Sequence, residues 1–304
     1  MSAYRFCRTD DVALLVDALN RCWPPYFPGE PSVTVAAFKR SIRDLQVWCS
    51  SCMVAFSGSD PIAVLVGAKR PSGTLVHKIA VHPDHVRQGH GRHLLASLGS
   101  KLAILGPPRM IAEVPETLAA TRGLFGASGY VEEAILTDYV WHASEAKPAG
   151  LNSAFVIPIT IDDLAANGLL GDYPQVCWER SVETLTARKD DIAGLAVASD
   201  ERIEAYLLYV AIGQSGNLGI SHALATASAP EARFPDYQIL SLRSFVDDGG
   251  ARLTQLLSRL RSQGIANVRF PKVHPAEVST KDLETLGFRP ADRHFLYAAR
   301  ARSE

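Results

Sequence analysis

The sequence predicts an α/β fold made of two tandem domains, each a mixed central sheet flanked by helices. Three observations carry that expectation. Strand and helix signals alternate on both sides of residues 145–153, a segment that carries Lys147-Pro148-Ala149-Gly150. Residues 76–98 run from an apolar strand through a loop with two glycines directly into an amphipathic helix. Finally, Phe125-Gly126-Ala127-Ser128-Gly129-Tyr130 returns as Leu283-Glu284-Thr285-Leu286-Gly287-Phe288, and Tyr139 lies ten residues past Gly129 just as Tyr297 lies past Gly287. Two landmarks sharing one offset mark an internal repeat.

The elements follow in order. Residues 4–8 read as a short strand, and Thr9-Asp10-Asp11 offers a cap for a helix to about Asn20. Trp23-Pro24-Pro25-Tyr26-Phe27-Pro28-Gly29 ends that helix, because proline supplies no N–H to continue it. Helical periodicity returns over residues 33–45, and residues 47–56 and 61–69 form a hairpin across Ser57-Gly58-Ser59-Asp60. A strand at 76–81, the turn His82-Pro83-Asp84 and a helix from about Gly91 come next, then a strand at 109–114, a helix at 115–128 and a strand at 131–142. Residues 145–153, with Lys147-Pro148-Ala149-Gly150, read as a linker. Beyond it a weaker copy runs: strand 155–159, helices 161–170 and 176–188, hairpin 192–199 with 202–212, strand 238–246, helix 250–263, strand 268–271 and helix 280–286. The expected boundaries are residues 1–146 and 154–304, joined by 147–153.

Bulk properties narrow the classes. At 304 residues, 47% hydrophobic and 21% charged, the chain has the composition of a globular protein with ample core. A net charge of −1 argues against general attraction to nucleic acid or membrane. The five cysteines are an odd number behind an N-terminus unlike a signal peptide, so a reduced, cytoplasmic setting is expected. Cys49 and Cys52 form a C-x-x-C at the start of an apolar strand rather than at a helix N-terminus, which reads as buried thiols and not a redox pair. No apolar run reaches the about eighteen residues a spanning helix needs.

The chemistry concentrates in Arg87-Gln88-Gly89-His90-Gly91-Arg92. Gly89 and Gly91 let backbone approach a bulky group without a Cβ in the way, and the following helix presents unpaired N–H groups with a partial positive charge. Such a loop is an anion site suited to phosphate. From Lys69 to Arg109 there are seven Lys or Arg against one acid, Asp84, which a phosphate site favours and a solvated basic face would equally show. The spacing is neither G-x-G-x-x-G nor a P-loop, since Gly91 is followed by Arg92-His93-Leu94.

What stands here, G-x-G-x-x-L-L behind a strand ending Ala80-Val81-His82-Pro83, closely resembles the acyl-CoA-binding motif of the GCN5-related N-acetyltransferase (GNAT) superfamily. The β-α-α-β-β-β-α-β-α-β order resembles that fold too, and the chain is read as a tandem, two-domain member. The resemblance implies that amides of Arg87, Gln88, Gly89, His90, Gly91 and Arg92 hold a CoA pyrophosphate, with Arg87 and Arg92 as cationic partners of the pyrophosphate and the adenosine phosphate. It also implies that the backbone of Ile79, Ala80 and Val81 pairs with the pantetheine arm. Val86 departs from the Arg or Gln that usually opens the family's loop. In the second copy the loop is Val246-Asp247-Asp248-Gly249-Gly250-Ala251-Arg252, with two aspartates where a pyrophosphate would lie. That half is expected to have lost CoA and to serve packing or acceptor recognition.

The family commonly uses a Glu on the motif strand as base and a Tyr in an L-Y-x-x-x-G-F run as acid. Here the tyrosine position is Phe125, beside the donor but unable to give a proton. His77 falls roughly at the base position, and its ordinary pKa suits proton removal; a strand histidine at a polar edge would look the same. Lys78 is expected on the opposite face as a surface charge. Tyr139 is a second proton-donor candidate, with packing as its other reading. Trp23, Tyr26 and Phe27 either line an acceptor pocket or fill a gap between helices. His82, His85, His90 and His93 crowd the loop, but no carboxylate or cysteine joins them at ligand spacing, so no metal is expected.

The resemblance thus implies acetyl transfer from acetyl-CoA to an amine of a small molecule or peptide, with chemistry in the first domain. The alternative is an acetyl-CoA-binding module without turnover. The expected partner is the amine acceptor, with neither nucleic acid nor membrane, in a monomer or homodimer.

Overall fold

In a computed structural model of the protein the described residues are 2–143, 155–171, 176–212 and 237–302. The expected linker, 147–153, lies outside them. The first half contains β1 (Ser2–Phe6), α1 (Val12–Cys22), α2 (Val35–Leu45), β2 (Met53–Ser57), β3 (Asp60–Arg70), β4 (Gly73–Val81), α3 (His90–Leu105), β5 (Arg109–Pro115), α4 (Ala119–Ala127) and β6 (Val131–His142). The second contains β7 (Phe155–Pro158), α5 (Ile161–Ala166), α6 (Val182–Ala187), β8 (Ala193–Ala198), β9 (Ile203–Ala211), β10 (Tyr237–Ser244), α7 (Ala251–Ser262), β11 (Asn267–Val273), α8 (Thr280–Thr285) and β12 (Phe288–Arg300).

These elements gather into two compact units. The first holds the described residues up to Ile135 and those from His294 onward; the second holds the described residues from Leu136 to Arg293. The expected boundaries follow the chain, and the units do not. In the first unit the strand order is β1-β2-β3-β4-β5, closed by the end of β12, whose His294–Arg300 lie antiparallel to Pro115–Arg109. In the second the order is β11-β10-β9-β8-β7, closed by the end of β6, whose Thr137–His142 lie antiparallel to Val273–Asn267. Each last strand therefore completes the sheet of the other half.

Local chemistry explains the main elements. On α1, Leu15, Ala18, Leu19 and Cys22 are buried at three- and four-residue spacing, a single apolar stripe laid on the sheet. Thr34 caps α2 by accepting from the Ala37 N–H at 3.1 Å. Behind the sheet of the first unit, Leu94, Leu98 and Leu102 of α3 pack with Met110, Ala112 and Val114 of β5, Phe125 of α4 and Tyr297 of β12. Each such leucine contributes about 2 kcal/mol by leaving water. The second unit repeats the arrangement with Leu253, Leu256, Leu257 and Leu260 of α7 against Ile239, Val268 and Phe270.

Two expectations shift. The strand expected from residue 47 begins only at Met53, because Cys49–Ser51 form a 3-10 turn. Both cysteines of the C-x-x-C are buried free thiols, and burial raises the pKa of each. The helix expected over 176–188 is a 3-10 turn at Trp178–Arg180 followed by the short α6.

Candidate functional site

The site starts from an unpaired strand edge. β4 and β5 run parallel but pair only at Thr74↔Met110 and Leu75↔Ile111. Beyond Leu75 the β5 side of β4 has no ladder. On the other side β4 pairs with β3, and the His82 N–H donates to the Ile62 carbonyl at 2.8 Å. In an antiparallel ladder hydrogen-bonded and non-hydrogen-bonded pairs alternate. Ala80 opposite Val64 is thus a bonded pair, while Val81 opposite Ala63 and Ile79 opposite Leu65 are not. Ile79 and Val81 therefore turn their N–H and C=O groups away from β3, toward the vacant edge. Ala80, expected beside them, spends its amide groups on β3. The β3–β4 register shifts between Val66 and Gly67, so His77 is the extra residue of a β-bulge.

The edge leads into the glycine loop and α3. Arg87 and Gly89 both have left-handed backbones, at φ 62° and φ 87°. That conformation costs any residue but glycine, and it turns the chain so that α3 starts facing the edge. Gly89 is the N-cap and supplies no side chain, and the first α3 hydrogen bond beyond it runs from the His93 N–H to the Gly89 carbonyl. The N–H groups of His90, Gly91 and Arg92 thus have no partner inside the helix. A Cβ on Gly89 would meet nothing within 4 Å, whereas one on Gly91 would press on Leu124 at 3.0 Å. Gly89 thus borders open space, and Gly91 is small so that α4 can pack. Arg87, Gln88 and Arg92 are exposed. His90 is buried, with Nδ1 2.7 Å from the Tyr4 hydroxyl; burial, then His85 and His93, hold its pKa below the usual value.

The aromatic loop between α1 and α2 touches the same strand. The Tyr26 hydroxyl donates to the Val81 carbonyl at 2.6 Å, one of the groups on the free edge. Trp23 stacks on Phe27 with ring centroids 4.4 Å apart and donates Nε1–H to Glu30 at 2.8 Å. Lys78, expected at the surface, has a side chain only 10% exposed. Its ammonium lies 4.0 Å from the Trp23 ring centre and 3.7 Å from the Glu30 carboxylate. Glu30 and the burial of Lys78 escaped the sequence reading: no motif marks Glu30, and the bulge at His77 breaks the alternation from which the face of Lys78 was read. Among the described residues no group of three His, Cys, Asp or Glu is placed to hold a metal ion.

Two expected residues sit elsewhere. Phe125 is 1% exposed in the core, stacked over Tyr297 and edge-on to Tyr130, so its ring offers no surface to a ligand. Tyr139 belongs to the second unit, where its ring packs in the core and its hydroxyl lies 2.9 Å from that of the exposed Thr280. The tyrosine at the matching offset in the first unit is Tyr297. Sequence order assigned each tyrosine to its own half, and the exchanged strand ends reverse the assignment. His77 is half-buried on β4.

The second unit carries the same geometry filled by its own side chains. β10 and β11 pair in parallel only at Tyr237↔Val268 and Gln238↔Arg269, and β10 bulges between Ile239 and Ser241. Arg180 bridges the parted strands. Its guanidinium donates to the Leu240 carbonyl on β10 at 3.3 Å and the Lys272 carbonyl on β11 at 3.2 Å, and grips Glu277 at 2.8 and 2.7 Å. Burial works against its charge, and Glu277 more than offsets this, so Arg180 stays protonated. At the start of α7, the Asp248 carboxylate accepts from the N–H groups of Gly250, Ala251 and Arg252 at 3.0, 3.1 and 2.9 Å. The amides left open on α3 are thus closed on α7 by a carboxylate.

Comparison with known proteins agrees with this geometry. Residues 13–130 match the Acetyltransferase (GNAT) family. No curated protein matches the chain in sequence. Among solved structures, the chain is similar to a GCN5-related N-acetyltransferase from Sphaerobacter thermophilus, at 12% identity over 99% of this chain and 96% of that one, with a TM-score of 0.64. It is also similar to a tandem GNAT protein from the clavulanic acid biosynthesis pathway, at 16% identity over 100% of both chains, with a TM-score of 0.63. A GCN5-related N-acetyltransferase from Kribbella flavida aligns at 12% identity over 98% of this chain and 70% of that one, with a TM-score of 0.60. At such identities the likeness is one of fold.

Proposed function

We propose that the chain, whose residues 13–130 match the Acetyltransferase (GNAT) family, is an acyl-CoA-dependent N-acyltransferase, with the donor site in the first unit and an amine of a small molecule or peptide as acceptor. The observation that carries this reading is the free β4 edge ending at the uncapped start of α3. Ile79 and Val81 present amide groups in the spacing an extended diamide arm can use, and the α3 amides with Arg87 and Arg92 suit a pyrophosphate. Acetyl-CoA, when bound, supplies a thioester carbonyl. The chain's own part is to hold that carbonyl and a neutral amine within about 3 Å, which converts a two-body encounter into a single-body one. The acceptor nitrogen then forms the C–N bond, the C–S bond breaks, and a proton leaves the nitrogen while one reaches the thiolate. His77 is our candidate for receiving the nitrogen's proton. Trp23, Tyr26 and Phe27, with Glu30 and Lys78 beside them, form the wall we assign to the acceptor. A cytoplasmic setting and a monomer or homodimer belong to the same proposal.

The second unit supports one site per chain, since Asp248 and Arg180 fill the equivalent places. Calorimetry with acetyl-CoA is expected to give a stoichiometry of one, lost with Gly89→Val and retained with Asp248→Asn. Two equivalent sites, or binding indifferent to Gly89→Val, would overturn the assignment. One observation favours a second reading, a binding module without turnover: a phenylalanine, buried in the core, stands at the family's proton-giving tyrosine position. Free thiol released from acetyl-CoA with any member of an amine panel removes the module; tight binding with no release across the panel supports it.

A further inference from the structure

Tyr26 stands in a loop whose other aromatic residues are fixed. Phe27 is buried, and Trp23 is held by Phe27, Glu30 and Lys78. The Tyr26 N–H donates to the Trp23 carbonyl at 3.0 Å and the Phe27 N–H to the Pro24 carbonyl at 3.2 Å, which closes the turn. Tyr26 itself is 37% exposed, so its side chain is the part of this loop that can turn without unseating the rest. Its hydroxyl nonetheless reaches β4 and donates to the Val81 carbonyl at 2.6 Å. That carbonyl points away from β3, along the side of β4 whose pairing with β5 stops at Leu75↔Ile111. Burial, then Cys22, raise the pKa of the hydroxyl, so it keeps its proton and serves the carbonyl as a donor. The Tyr26 hydroxyl therefore stands in the slot beside β4, on the edge group that a ligand lying along the strand would use.

On the reading of the first unit as the donor site, we propose that Tyr26 is a latch: the donor's amide arm takes the Val81 carbonyl from the Tyr26 hydroxyl, and the freed side chain turns toward the acceptor. One carbonyl is thus claimed by two partners, an internal hydroxyl and an amide N–H of the arm. Whatever free energy the hydroxyl contributes to the closed slot is withheld from the donor's affinity. The coupling is reciprocal. An acceptor that holds Tyr26 turned outward strengthens donor binding by the factor by which the donor strengthens acceptor binding. Phe27 and Trp23 keep the loop in place throughout, so the change is a side-chain rotation and the turn stays closed.

The test titrates the full chain with acetyl-CoA and with 3′-phosphoadenosine 5′-diphosphate, which keeps the nucleotide and pyrophosphate and lacks the arm. Tyr26→Phe is expected to bind acetyl-CoA about three- to tenfold more tightly than the wild type, the span of one net hydrogen bond. Its affinity for the arm-less nucleotide should equal that of the wild type. A wild-type chain carrying 3-fluorotyrosine reports the displacement directly. The Tyr26 fluorine resonance, assigned by its loss in Tyr26→Phe, should move on adding acetyl-CoA and stay in place on adding the arm-less nucleotide. Tyr26→Phe that binds acetyl-CoA no more tightly, or a resonance that ignores the arm, overturns the latch and leaves the donor site standing. A gain shared by the arm-less nucleotide does the same. A wild type that binds neither ligand overturns both.

Discussion

His77 occupies the position where the β3–β4 ladder carries one residue too many, and a bulge of this kind re-aims side chains near a site. If it receives the acceptor's proton, His77→Ala should lower turnover about a hundredfold with acetyl-CoA affinity nearly unchanged. The rate at low acceptor should then rise through one midpoint for two acceptors of different basicity. A midpoint that moves with the acceptor removes His77 from the mechanism and leaves positioning alone. Tyr139→Phe is expected to leave turnover untouched and to cost about 1 kcal/mol, because its hydroxyl serves Thr280 in the second unit. His90 makes a separate prediction about stability. Burial, then its histidine neighbours, keep its pKa in the folded state below 6.5, so beneath that pH the unfolded chain takes up a proton that the folded one refuses. Stability should therefore fall as pH drops below about 6.5. Denaturation midpoints at pH 7.5 and 5.5 should differ less in His90→Gln than in the wild type.

Among the elements, α3 and α7 are the same device in two states. Both begin at a left-handed glycine, Gly89 at φ 87° and Gly250 at φ 84°. One start is open and the other is closed by Asp248. Asp248→Ala should destabilise the second unit by about 1 kcal/mol, the usual loss for a cap, with donor binding unchanged; a thermal melt paired with a titration checks both. Gly89→Ala should cost about 1–2 kcal/mol of backbone strain, read in the same melt. Elements of this sort were legible in the sequence because their signals are local: glycine at a helix start, periodicity in α1, the span of β6 to its last residue. The paired aspartates of the second loop were legible as a charge conflict with phosphate, although not as a cap. What the sequence concealed is non-local. The face of Lys78 depends on a bulge, and a bulge leaves no residue pattern. The Arg180 bridge joins residues on separate strands, and no spacing marks it. Glu30 enters only through Trp23 and Lys78.

At the scale of the molecule, the repeat was visible in the matched offsets of Tyr139 and Tyr297, but the exchange of strand ends was not. Either partner satisfies the alternation of an antiparallel strand, so hydrophobic pattern alone does not say which β5 or β11 a final strand joins. A chain ended after Arg293 should keep the second unit's strands and lose the partner of β5. Its first unit should then melt early and fail to bind acetyl-CoA, while protease protection of the second unit persists. Retention of full donor binding by that chain would refute the role assigned to the strand end.

The exchange also sets an order of assembly on the ribosome. Domains made first ordinarily fold first. Here every strand of the second unit has been synthesised by Arg293, while the first unit still waits for residues 294–300 to cover β5. The half of the chain born first is the half finished last, and its exposed β5 must be kept from stray partners throughout translation. Loss of residues 294–300 would thus strike the part of this pair that was made first.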